Sequence, residues 1–165
     1  CRERLHARRR LFDWLIFNVL TGNDDAHLKN ISFLVDKDGI QLAPHYDLSS
    51  TVAERSRAYK LDHAAWPHAA TLAWPILDVS NFSGITRELL VNAGIALGLP
   101  VRMAQNHVDQ MVAAIVPAAG SLIGEIEDEN TAWGSEVGPT LQREMRMLRT
   151  VFEVVIKDMA RQLAH

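Results

Sequence analysis

The feature that most limits how this chain can fold is a nine-residue polar stretch between two apolar segments. Residues 22–30 contain two acids, a histidine, a lysine and two asparagines. They follow the apolar residues 11–20 directly, and the apolar residues 31–35 come immediately after them. Because charged groups are not buried without partners, this polar stretch is predicted to be a surface-facing loop held between two core elements. Loops fixed in this way often carry functional residues.

The size and composition of the chain favour one globular domain. Its 165 residues are enough to build a hydrophobic core, and its apolar fraction of 48% is ordinary. The net charge of −3 gives no reason to expect direct binding to nucleic acid. The single cysteine, Cys1, excludes a disulfide framework and fits a reducing compartment. No apolar run has the length of a membrane span, so we expect a cytoplasmic protein without membrane contact.

Apolar periodicity predicts that most of the chain is helical. Spacings of three, four and seven residues predict a first helix over residues 2–20, with Gly22 as its stop. Further helices are predicted over residues 86–97, from Pro100 to a stop at residues 117–120, and over residues 141–163. Residues 54–83 and 124–138 are interpreted as irregular. The expected fold class is mainly α with one small β-hairpin.

The predicted hairpin follows the polar stretch directly. Apolar residues 31–35 and 40–42 flank the dipeptide Asp38-Gly39, a combination typical of a two-stranded hairpin. Asp47 comes shortly after the second strand. Because a hairpin returns the chain towards its starting point, Asp47 is predicted to lie near Asp25 and Asn30 of the polar stretch.

Asp25, Asn30 and Asp47 together provide the side chains that phosphoryl transfer requires. One carboxylate orients or deprotonates the acceptor hydroxyl, while an asparagine and a second carboxylate hold magnesium against the triphosphate. Magnesium prefers oxygen ligands and usually takes only one or two protein carboxylates. Protein kinases place this asparagine five residues after the catalytic aspartate, as Asn30 follows Asp25 here. The spacing therefore indicates a phosphoryl-transfer site.

A longer pattern surrounds these residues: Asn23-x-Asp25-x-His27-x-Lys29-Asn30, with Tyr46-Asp47-Leu48 downstream. The pattern resembles the HipA family of bacterial serine/threonine kinases, known as toxins of toxin–antitoxin pairs, and more distantly the catalytic loop of phosphoinositide kinases. The resemblance covers most of the chain and is strongest over residues 10–50. It implies that residues 1–165 form the helical C-terminal lobe of a protein-kinase-like fold. No glycine-rich phosphate loop precedes the pattern, so we expect the N-terminal nucleotide-binding lobe to be absent and the isolated chain to be weakly active or inactive.

The resemblance also implies what the site does and what it binds. Asp25 matches the catalytic residue that accepts the proton of the substrate hydroxyl. Asn30 and Asp47 match the residues that bind Mg²⁺ and, through it, ATP. The implied substrate is a protein serine or threonine, with aminoacyl-tRNA synthetases among the family's targets. A small DNA-binding antitoxin is the implied partner.

Two other residues of the pattern have less defined roles. His27 is expected either to contact the transferred phosphate, as a catalytic and cofactor-binding residue, or to hydrogen-bond the loop backbone. Lys29 is expected either to act in catalysis or to form an ion pair with Asp24 or Asp25. His45, outside the pattern, is interpreted as structural.

Three alternatives to a kinase site follow from the same residues. The first is a non-catalytic module that binds an antitoxin or another partner. The second is a metal-dependent phosphoesterase that uses Asp24, Asp25, His27 and Asp47, although a two-metal site would need further ligands. The third is a zinc site at Asp62, His63 and His68, whose spacing is not that of a standard zinc motif.

Overall fold

Helices and two antiparallel β-hairpins make up residues 4–59, 66–132 and 138–164, the part of the chain that this computed structural model describes. The helices are α1 (Arg4–Thr21), α2 (Arg87–Ala96), α3 (Val101–Ala132), α4 (Pro139–Thr150) and α5 (Lys157–Leu163). The strands are β1 (Phe33–Asp36), β2 (Gly39–Leu42), β3 (Thr71–Ile76) and β4 (Val79–Asn81). Short 3₁₀ turns lie at Leu28–Asn30, Ala53–Arg55 and Phe82–Gly84, and a π-helical segment, Val151–Ile156, joins α4 to α5. The mainly α class is confirmed.

The helix predictions are confirmed at the front of the chain and wrong in two places further on, at the stop of α3 and at residues 124–132, which were interpreted as irregular but are helical. α1 ends at Gly22 as predicted, and α2 begins after Thr86, whose hydroxyl accepts a hydrogen bond from the Leu89 amide at 3.1 Å. The predicted stop of α3 at residues 117–120 is wrong, because the helix continues through Pro117 to Ala132. A proline removes one backbone hydrogen bond. Here the alanine, leucine, isoleucine and glutamate residues that follow favour helix strongly enough to continue it.

The hydrophobic core forms where α1 packs against α3, the π-helical segment and α5. The largest side chains that are fully buried include Phe12, Ile16, Leu20, Leu90, Val108, Val155, Met159 and Leu163. Each such side chain contributes about 1.5–3 kcal/mol to folding when it leaves water. The C-terminal half of α1 is therefore fixed firmly in the core, and the polar stretch starts from this fixed end.

Two hairpins flank the polar stretch. The predicted hairpin is confirmed: β1 and β2 pair with Phe33 opposite Leu42 and Asp36 opposite Gly39, so that the turn is at Lys37 and Asp38. β3 and β4 form a second hairpin, which the sequence interpretation of residues 54–83 as irregular had missed. Its register shifts between Thr71 and Ile76.

None of the helices within the described ranges has the combination of length and hydropathy that a membrane span needs. The longest of them, α3, has 32 residues and carries several acidic side chains in its second half.

Candidate active site

The polar stretch begins at a helix end that glycine makes possible. Gly22 has φ of +66°, and a Cβ atom there would lie 2.6 Å from Cγ1 of Val155. The Gly22 amide donates to the Val19 carbonyl at 3.2 Å and the Asn23 amide donates to the Asn18 carbonyl at 2.9 Å. This pair of hydrogen bonds is a Schellman motif, which satisfies the last carbonyls of α1. It turns the chain sharply from the buried helix into the polar stretch.

Asp24 anchors the stretch to two later parts of the chain. Its carboxylate accepts a hydrogen bond from the Thr51 hydroxyl at 2.5 Å and pairs with the Arg55 guanidinium at 2.5 Å. Its backbone carbonyl accepts from the Ala73 amide of β3 at 2.9 Å. The Asp24 side chain is only 6% exposed. Asp24 is therefore engaged in holding the loop, and the ion pair that was predicted between it and Lys29 is absent.

Asp25, the next residue, has the opposite surroundings. Its backbone amide donates to the Asn23 side-chain oxygen at 3.2 Å, and the residue is exposed. Among the described residues, no hydrogen bond or ion pair reaches the Asp25 carboxylate. The two adjacent acids are thus divided into one that fixes the loop and one that is free to accept a proton.

Asn30 and Asp47 are brought into direct contact across 17 residues of sequence. The Asn30 side-chain amide donates to Oδ2 of Asp47 at 2.5 Å, and its oxygen accepts from the His27 backbone amide at 2.9 Å. Asn30 is 5% exposed, whereas Asp47 is exposed. The hairpin between them makes this meeting possible, as predicted from its turn.

The same pair has the chemistry of a magnesium site. It offers one carboxylate and one amide oxygen, which are hard ligands of the kind that Mg²⁺ takes from proteins. The exposed carboxylate of Asp47 leaves room for further ligands from solvent or a phosphate. A cation can bind both side chains only if the hydrogen bond between them opens. Elsewhere in the described part of the chain, no three acidic, histidine or cysteine side chains form a metal-binding group.

His27 and Lys29 differ in accessibility. Nδ1 of His27 is buried without a hydrogen-bond partner among the described residues. The ring lines a small pocket of about 50 Å³ that also contacts Trp14, Leu72 and Trp74. Lys29 is exposed, and within the described part of the chain its ammonium group forms no ion pair.

Tyr46 joins the end of the hairpin to the loop. Its hydroxyl donates to the Lys29 carbonyl at 2.5 Å and lies 3.0 Å from the Ser32 hydroxyl, from which it can accept. In the sequence, Tyr46 stands out only as a member of the HipA-like pattern that includes Asp47. Thr51 and Arg55, which bind Asp24, were missed altogether, because nothing in their spacing links them to residues more than 25 positions earlier.

The remaining candidates lie apart from this loop. The His45 ring donates from Nε2 to the Arg10 carbonyl at 3.0 Å and packs near Trp14. Burial lowers the pKa of its imidazole, and the nearby Arg10 charge lowers it further. Of the proposed zinc ligands, Asp62 and His63 lie outside the described residues.

Comparison with known proteins places the chain among kinase relatives. Over 111 residues it is 32% identical to the serine/threonine-protein kinase toxin HipA of Shewanella oneidensis, and over 106 residues 36% identical to the putative kinase Y4mE of Sinorhizobium fredii. Each match covers 64% of this chain, but only 25% and 24% of the respective relative. The chain therefore spans about a quarter of the length of these relatives.

A solved structure and a family model agree with these matches. The fold is similar to that of a chain in the Shewanella oneidensis complex of HipA, HipB and operator DNA, with a TM-score of 0.71 and 23% identity. That match covers 99% of this chain and 33% of the solved chain, and at this identity it establishes the fold alone. The model of the HipA-like C-terminal domain matches residues 1–119. The chain therefore belongs to the HipA-like C-terminal domain family.

Proposed function

We propose that this chain is the C-terminal catalytic lobe of a serine/threonine protein kinase that uses ATP and Mg²⁺. The observation that carries the proposal is the contact between Asn30 and Asp47, which lie 2.5 Å apart beside the loop that presents Asp25. These are the three side chains that phosphoryl transfer to a hydroxyl needs, in the order and spacing found in kinases. The printed names of the curated relatives, a kinase toxin and a putative kinase, support the same activity.

Each residue of the loop has a role in this proposal. Asp25 accepts the proton of the serine or threonine hydroxyl, because its carboxylate is exposed and unpaired among the described residues. Asn30 and Asp47 hold magnesium, which neutralises the charge that develops on the phosphoryl oxygens when it is bound. Lys29 is free to contact a phosphate directly. His27 can do so only through its second ring nitrogen, because Nδ1 is buried.

The proposed domain assignment follows from the proposed kinase function and from the exposed side chains of the first hairpin. We propose that residues 1–165 are one lobe and that a nucleotide-binding lobe covers the first hairpin in the whole kinase. Apolar side chains of that hairpin are exposed in this chain: Phe33 by 56%, Leu34 by 57%, Val35 by 75% and Ile40 by 46%. A cluster of this kind beside a binding site marks a surface that another part of the protein covers. We therefore expect weak or no phosphoryl transfer by the isolated chain.

The partners of the kinase are proposed by analogy alone. The similar solved structure is described as a complex of HipA with HipB and operator DNA. We propose a DNA-binding antitoxin as partner, a protein serine or threonine as acceptor, and a cytoplasmic location. An aminoacyl-tRNA synthetase is the acceptor that the family resemblance suggests. A purely partner-binding module is the second candidate function, and it predicts antitoxin binding without phosphoryl transfer.

The test is intact-mass analysis of the full-length protein after incubation with ATP and Mg²⁺, with a candidate protein acceptor added. We expect Asp25→Asn to lower phosphate incorporation about 10²- to 10⁴-fold, as loss of a general base does. Asp47→Asn is expected to raise the Mg²⁺ concentration that transfer requires. Asp128→Asn, at an exposed position in the second half of α3, is the matched control and should leave transfer unchanged. Undiminished transfer by Asp25→Asn would reject the assigned base, and no transfer by the unaltered protein would favour the partner-binding module.

A further inference from the structure

Two buried asparagines connect α1 to the candidate active site. Asn18 and Asn23 are 4% and 3% exposed. The Asn18 side-chain nitrogen donates to the Trp14 carbonyl at 2.8 Å, and its oxygen accepts from the Asn23 side-chain nitrogen at 2.8 Å. The backbones of the two residues are also bonded, through the Schellman motif at 2.9 Å. Asn23 is therefore attached to α1 through both its main chain and its side chain.

The other contacts of Asn23 reach both acids of the site. Its side-chain oxygen accepts from the Asp25 amide at 3.2 Å, and its nitrogen donates to the Asp47 carbonyl at 3.0 Å. Asp47 has φ of +57°, a left-handed conformation that a residue other than glycine adopts only when its surroundings impose it. The hydrogen bond from Asn23 is one of the contacts that hold this strained residue.

We infer that Asn18 and Asn23 are positioning residues that fix the proton acceptor Asp25 and the metal ligand Asp47 relative to each other. This inference rests on the proposed function for its catalytic meaning, but the coupling itself is a property of the fold. A side-chain amide suits the task because it donates and accepts at once without charge. Neither asparagine is exposed enough to bind substrate, so both act through the backbone of the two acids.

The first experiment compares two substitutions in α1. Asn18→Leu and Thr21→Val each replace a buried side chain that donates a hydrogen bond to a carbonyl of α1 by one that cannot donate. The two hydrogen bonds measure 2.8 Å and 2.9 Å respectively. Only Asn18 is bonded to Asn23. In this chain, measured by NMR hydrogen exchange, we expect the Asp25 amide to exchange at least about tenfold faster in Asn18→Leu and less than about twofold faster in Thr21→Val. Equal exchange in the two variants would overturn the inference.

A second substitution keeps the test decisive if Asn18→Leu does not fold. Asn23→Ala removes the links to Asp25 and Asp47 at a site beyond the end of α1, so the helix core is unchanged. It should accelerate exchange of the Asp25 amide at least as much. Asn18→Asp, in contrast, retains an acceptor for Asn23. It should therefore keep part of the protection of the Asp25 amide that Asn18→Leu loses. Protection of Asp25 that survives Asn23→Ala would reject the coupling.

The effect of the substitutions Asn18→Leu and Thr21→Val on catalysis is measured in the whole kinase. We expect Asn18→Leu to lower kcat about 10- to 100-fold while KM for ATP changes less than about threefold, because misplacing reacting groups affects the reaction more than nucleotide binding. Thr21→Val should change neither. If Asn18→Leu loosens the loop but leaves kcat unchanged, the positioning role is wrong. If the unaltered protein transfers no phosphate, the proposed function fails, while the exchange experiment still decides the coupling.

Discussion

The two hairpins on either side of the candidate site differ in how regularly their strands pair and in how their side chains are buried. β1–β2 is regular, with four consecutive residue pairs, yet most of its apolar side chains remain exposed. β3–β4 is irregular, with a shifted register, yet its Leu72, Ile76 and Val79 side chains pack in or against the hydrophobic core, while Trp74 and Leu77 remain exposed. Ile76 at its turn is 4% exposed, and Ala70 and Phe82 at its base are fully buried. The comparison teaches that regular backbone pairing and burial are separate properties of a hairpin.

The attachment of each hairpin explains the difference. β1–β2 is held mainly at its base, where the Arg10 guanidinium donates to the Leu42 and Ala43 carbonyls at 2.9 Å each. β3–β4 is bonded to the polar stretch itself through the Ala73 amide and the Asp24 carbonyl. The first hairpin therefore presents an exposed apolar surface, while the second supports the polar stretch.

The largest expected effect comes from removing side-chain volume in the packed hairpin. Ile76→Ala should lower the free energy of unfolding by about 2–4 kcal/mol, because it leaves a cavity in the core. Val35→Ala, at a residue that is 75% exposed in the other hairpin, should change it by less than about 0.5 kcal/mol. Urea denaturation of the chain measures both. Equal losses would show that the two hairpins are packed alike.

A smaller effect is expected at the turn of the regular hairpin. Gly39 has φ of +126°, and a Cβ atom there would meet nothing within 4 Å. Gly39→Ala should therefore cost about 1–3 kcal/mol of hairpin stability through backbone strain alone. Faster hydrogen exchange of the amides that pair β1 with β2 would measure this loss of stability. Gly124→Ala, at an equally open position within α3, is the control and should be neutral or stabilising. No loss of protection in Gly39→Ala would contradict this account.

The smallest effect is a pH dependence at the base of the regular hairpin. Burial lowers the pKa of His45 in the fold below its ordinary value, and the Arg10 charge acts in the same direction. The stability that the neutral ring contributes is therefore present above pH of about 6.5 and is lost as pH falls below it. The loss should be small, because the ring is only partly buried. Urea denaturation at pH 7.5 and 5 should show a smaller difference for His45→Gln than for the unaltered chain, and an identical difference would contradict the prediction.

The sequence predicted the elements whose causes are local. The periodicity of α1, the stop at Gly22 and the Asp38-Gly39 turn each act over a few residues, so they could be recognised without a structure. The meeting of Asn30 with Asp47 could be predicted for the same reason, since one short hairpin separates them. The HipA family membership followed from the same nine-residue stretch.

The elements that sequence reasoning missed depend on contacts across the chain. β3–β4 contains Pro75 and turns at Leu77, whose φ of +55° is not what a leucine suggests. The spacing to Asn30 identified Asp25 in the sequence, but the structural role of Asp24 could not be predicted, because its partners Thr51 and Arg55 lie far away along the chain. The role of Asn18 was hidden because a single polar residue in an apolar helix gives no indication of its partner.

Because α3 continues past residue 119, its length limits where this domain can be truncated. The family match ends at residue 119, but the helix runs from Val101 to Ala132, a length of about 48 Å at 1.5 Å per residue. The family match therefore ends inside a helix, two residues after Pro117. Beyond that point, Arg149 of α4 pairs with Glu127 of α3 at 2.7 Å. A protein truncated at residue 119 would end within α3 and would lose the buried Val155, Met159 and Leu163 from the core.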